Sequence, residues 1–76
     1  MIFKRKHDRK VSKIQKRAAM LPVSELVPWS DSVLYAIGKN LSNWQKTEAV
    51  AYLEEARINA EAIHAIIESL YSRVSK

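Results

Sequence analysis

From Thr47 to Val74 the apolar residues fall at alternating intervals of four and three. Leu53, Ala60, Ile67 and Val74 share one heptad position, and Ala49, Ala56, Ile63 and Leu70 share the other. That spacing is the seam of a long helix packed on a partner helix, and it predicts one of about 28 residues, or ~42 Å at 1.5 Å per residue. Glu54, Glu61 and Glu68, seven apart, mark its solvated side.

Upstream the pattern changes twice. Between about Lys6 and Leu21, at 100° per residue, Val11, Ile14, Ala18 and Leu21 fall within an arc of ~80°. Lys6, Arg9, Lys10, Lys13, Lys16 and Arg17 crowd the opposite side, which predicts an amphipathic basic helix. Pro22 cannot continue a hydrogen-bonded helix and pushes Leu21 out of the α region, so this helix ends there. The segment between Pro22 and Pro28 reads as an ordered connector of little more than one turn.

A second helix has its start signal at Ser30. Ser30 suits the N-cap, Asp31 favours the helix dipole, and Trp29 can pack on Leu34 as a hydrophobic staple. Val33, Leu34, Ile37, Leu41 and Trp44 form its apolar face, and Gly38 in their midst implies a close helix crossing that offsets its low propensity. Asn40, Ser42, Asn43 and Thr47 predict a turn within residues 40–47, with Thr47 capping the last helix and Glu48 at its first position. A straight helix from Leu41 to Leu53 would turn the two stripes ~120° apart, which favours the break over a single helix from Asp31 to Arg73. The second helix is then about half as long as the third and cannot cover its seam alone. The chain reads as a basic arm (1–21), a proline-bounded connector (22–29) and a helical hairpin (30–76). The fold class is all-α, a basic amphipathic N-terminal helix followed by a helical hairpin with a long coiled-coil-like C-terminal helix.

Length sharpens the question of partners. The 76 residues bury only about 60% of the surface an unfolded chain exposes, so self-association or docking on a larger protein is a natural source of stability. With no Cys, neither a disulfide nor a thiolate metal site can supply it. No stretch approaches the roughly 20 apolar residues of a membrane span, and no apolar segment follows the basic start, so a cytoplasmic protein is expected. The net charge of +5 is unevenly spread. Residues 1–17 hold eight Lys or Arg against one Asp, a balance of +7, and the remainder holds five bases against seven acids, or −2.

That asymmetry is the main functional signal. Lys6, Arg9, Lys10, Lys13, Lys16 and Arg17 on one helical face can each displace counterions from a phosphate backbone, which makes nucleic acid the leading partner. An acidic protein groove and an anionic membrane surface are competing partners, and a merely solvated face is the bland reading. Ala56, Ala60, Ile63, Ile67, Leu70 and Val74 form the expected interface for a homo-oligomer or for a larger host. Glu61 and His64 have the Glu-x-x-His spacing of di-iron bundles, but the partner carboxylates are missing from the other helices, so no metal is expected. Trp29 and Trp44 read first as filling for the two ends of the second helix and second as partner hot spots. No nucleophile, base and orienting residue can be assembled, and there is no glycine-rich phosphate loop. The expectation is a non-enzymatic interaction module with no cofactor and no small-molecule substrate, or a structural adaptor of a larger complex.

Overall fold

One proline, Pro22, and one left-handed residue, Glu48, divide the helix-prone composition. The computed structural model describes residues 13–75, and among them there are three helices and no strand. α1 covers residues 13–20, α2 runs Val23–Thr47 and α3 runs Val50–Val74. α2 and α3 form the antiparallel hairpin, α1 returns along its open end, and the all-α architecture expected from the pattern is the one observed.

α1 stops where proline requires it. The Leu21 amide donates to the Arg17 carbonyl at 3.2 Å, and Pro22 follows in extended conformation at the N-cap of α2 (φ −71°, ψ 160°). The expected connector then disappears. The Glu25 and Leu26 amides both donate to the Pro22 carbonyl, at 2.9 and 3.0 Å, so residues 22–29 are the cap and first turns of α2, not a segment of their own. The start signal at Ser30 therefore misleads. Ser30 lies inside α2 and its hydroxyl donates back to the Val27 carbonyl at 2.7 Å. Pro28 is tolerated within the helix because its missing N–H deprives a single carbonyl, that of Ser24, which is exposed to water.

The turn also lies elsewhere than expected. Asn40 to Thr47 are all helical, and the chain reverses at Glu48 and Ala49. Glu48 takes the left-handed conformation (φ 59°, ψ 22°), and its amide closes the helix end on the Trp44 carbonyl at 2.6 Å. Thr47 is not the cap of α3. It ends α2, donating its hydroxyl to the Asn43 carbonyl at 2.9 Å and accepting the Ala49 amide at 3.2 Å. Thr47 thus supplies an acceptor for the Ala49 amide, an orphan donor at the start of α3. A non-glycine residue in the left-handed region costs ~1–2 kcal/mol. Glu48→Gly is therefore expected to raise the unfolding free energy by ~0.5–1 kcal/mol after the entropy glycine adds to the unfolded chain, read as a higher urea midpoint at unchanged slope.

With the turn at 48–49, α2 and α3 are each 25 residues long, so α2 is not the short arm expected. The seam of α3 is rotated as well. Its buried residues are Ala56, Ala62, Ala65 and Ile66, whereas Leu53, Ala60, Ile67 and Val74 of the expected stripe are exposed. Ala56, Ile63 and Leu70 lie between the two positions and are buried or half-buried. The rotation has a cause in α1. Ala18 of α1, Leu26 of α2, and Ala65 and Ile66 of α3 make one buried cluster, flanked by Ile14, Leu21, Trp29 and Leu70, so the lower half of α3 must face α1 as well as α2. Among the described residues Gly38 makes no close crossing, since a Cβ built on it would meet nothing within 4 Å.

Candidate nucleic-acid interface

The basic helix is held by its apolar edge and its C-terminal end. Ile14 and Leu21 pack against the cluster and Ala18 is part of it. At the end of α1 the last carbonyls have no intrahelical partner, and α3 supplies one. Nη2 of Arg73 donates to the carbonyls of Ala18 (3.0 Å), Ala19 (3.3 Å) and Leu21 (2.6 Å). Ser69 donates its hydroxyl to the Ala18 carbonyl at 2.9 Å. Nη2 carries two hydrogens, so one of its three contacts is shared. A guanidinium at a helix C-terminus also meets the negative end of the dipole. The heptad pattern gave no hint of this clamp; only a basic residue six to seven positions beyond the Ile66–Ile67 pair, in the last turn of α3, could have suggested it.

The cations take the remaining sides of α1. Lys13, Lys16 and Arg17 are exposed, and the structure brings them onto one helical surface opposite or beside the packed edge. Arg17 is also committed to the fold, its guanidinium lying 4.7 Å from the ring centroid of Trp29, a cation–π contact of ~0.5–1 kcal/mol at an exposed site. The residue stays exposed, and the N–H edge of a guanidinium can donate while its face is stacked. Lys6, Arg9 and Lys10, with Val11, lie outside the described residues.

Of the six residues expected at an interface, Ala56 is buried in the hairpin, Ile63 and Leu70 are half-buried, and Ala60, Ile67 and Val74 are exposed. The two tryptophans also part ways. Trp29 packs against the core cluster, and Trp44 near the turn is more than one third exposed. Beside α1, a half-open groove of about 260 Å³ is lined by Ile14, Gln15, Arg57, Ala60, Glu61 and His64, with Ala65 at its floor. It holds one formal charge of each sign and so favours neither anion nor cation. Among the described residues no three His, Asp or Glu come together as metal ligands, and no helix is long and apolar enough to cross a membrane. Compared with protein-family models, curated proteins and solved structures, the chain matches none.

Proposed function

We propose that this chain is a non-enzymatic helical interaction module of the cytoplasm that contacts nucleic-acid phosphates through its basic N-terminal helix and associates through its C-terminal helix. The observation that carries the first half is that α1 has already spent its apolar edge. An acidic protein groove or a membrane surface would read Ile14, Ala18 and Leu21 together with the cations, yet those three pack into the chain's own core. Among the described residues α1 offers a partner mainly charge, as Lys13, Lys16 and Arg17 beside one exposed apolar residue, Met20 at its end, and the charge is continued in sequence by Lys6, Arg9 and Lys10. A row of cations whose neighbouring apolar edge is packed inward suits phosphates, which are bound by counterion release and without base reading. The exposed part of the α3 stripe supports the second half, and it equally serves the adaptor reading, in which the chain docks on a larger protein.

The test is binding of the full chain to a random-sequence DNA duplex across a salt series. The expected slope of log affinity against log salt is about −4 or steeper, and each of Lys13→Gln and Lys16→Gln reduces it by about one. These exposed substitutions leave the core intact, whereas deleting the arm would remove Ile14 from it. Absence of binding at low salt overturns the nucleic-acid half.

A further inference from the structure

We infer that the face of the hairpin turned away from α1 is a two-helix docking surface for a second copy of this chain, giving a four-helix bundle with the basic helices on its two outer sides. This deepens the association half of the proposed function, from α3 alone to a surface built by both arms.

The placement follows from helical phase. α1 lies against Trp29 of α2, through Arg17, and against Ser69 of α3. Two residues along a helix turn the direction by about 200°, so Val27 points away from α1 on α2 as Ile67 does on α3. Around these two residues lie two apolar rows on the same side of the hairpin. On α2 the row is Val23, Val27, Leu34 and Leu41, all exposed, and Ser30, Ile37 and Trp44 complete a spacing of four and three. On α3 it is Leu53, Ile67 and Val74, also exposed, with Ala60 between them at the rim of the groove beside α1. Leu34 and Ile67 are 54% and 56% exposed, a poor use of large apolar side chains unless something covers them.

Three features commit the surface to a second copy. First, its rows contain no Asp, Glu, Lys or Arg, so no like charges meet where the rows of two copies oppose each other, and the exposed Asp31 and Arg57 that flank them are of opposite sign. Second, both rows lie on arms of 25 residues, and an identical hairpin related by a two-fold axis covers both from end to end, as an isologous contact requires. Third, two helices ~10 Å across and ~37 Å long present ~750 Å² each side, or ~1,500 Å² in the pair, the size of a standard stable interface. Gly38, beside Leu34 and Leu41 with open space above it, removes the side chain that would hold another helix away.

The experiment is sedimentation equilibrium of the full chain up to a concentration on the order of 100 µM, with three variants. The expected mass is twice 8.7 kDa. Leu34→Glu and Ile67→Glu each place an unpaired carboxylate in the contact and weaken the dimer at least about tenfold, and Tyr35→Glu, exposed on α2 but off the face, does not. A wild-type mass of 8.7 kDa overturns the inference, as does a dimer broken by Ile67→Glu but indifferent to Leu34→Glu, which would confine the contact to α3. If either variant loses its helices, the wild-type melting temperature decides. A rise with protein concentration supports the dimer and invariance overturns it. Binding of the DNA duplex by a monomeric chain would leave the nucleic-acid reading standing while this inference fails.

Discussion

Replacing Ile66 by Ala is expected to cost ~2–4 kcal/mol of unfolding free energy. Ile66 and Leu26 are the two large side chains with no accessible surface at all, and Ile66 sits where α1, α2 and α3 meet. Cutting it to a methyl group loses the transfer energy of the removed carbons and leaves a cavity in a cluster where Ala18 and Ala65 cannot swing in and only the larger Leu26, Ile14, Leu21, Trp29 and Leu70 could relax. A chain of 76 residues holds only ~4–11 kcal/mol at 0.05–0.15 kcal/mol per residue, so the loss is a large fraction of the total. Ile67 provides the internal control. It is the same residue type one position on and is 56% exposed, so Ile67→Ala is expected to leave the helices nearly as stable and to act on association instead. Urea denaturation followed by circular dichroism reads both. Equal losses for the two variants would mean that α3 packs in another phase.

Replacing Arg73 by Ala is expected to cost ~1–3 kcal/mol, the range for a hydrogen-bonded charged donor together with its helix-end contribution. Arg73 is only half-buried, which argues for the lower part of that range. Its removal takes the side-chain donor from the carbonyls of Ala19 and Leu21, while the Ala18 carbonyl keeps the Ser69 hydroxyl. Lys is expected to rescue part of the loss, because one ammonium has three donors for the carbonyls that Nη2 alone now holds, but at the end of a shorter side chain. Arg57→Ala, an exposed arginine of the same helix, should be nearly silent. The comparison is made by denaturant midpoint together with tryptophan fluorescence, since release of α1 withdraws Arg17 from the Trp29 ring. If Arg73→Ala and Arg57→Ala behave alike, the clamp contributes nothing.

How far the sequence could be read depends on which residues had one structural use and which had several. Pro22 has one, and the end of α1 falls where it dictates. The helix content and the hairpin follow equally from a period that no strand could carry. Pro28 was misleading, because a proline inside a helix removes one hydrogen bond and only breaks the helix where that loss cannot be met by water. The turn was misplaced because Asn40 and Asn43, poor helix formers by propensity, are half-buried on the inner side of α2, and tertiary packing overrides so weak a preference. The phase of α3 could not be resolved from spacing. Ala56, Ala60, Ala62 and Ala65 allow apolar stripes in several directions, so the neighbour decides between Ile66 and Ile67, and that neighbour, α1, lies about fifty residues away in the chain. The cationic row was legible from charge alone, but its attachment to Arg73 and Ser69 was not, because a side chain reaching the far end of another helix leaves no periodic trace.

That attachment also sets an order of assembly. α2 and α3 are joined by a two-residue reversal and can zip from it with little loop entropy, whereas the bonds that hold α1 connect residues 51 to 55 apart and require the hairpin to exist first. The helix that carries the cations is therefore the last to dock during folding and the first to open in the folded chain, and it can be released and recaptured without unfolding the scaffold that bears it.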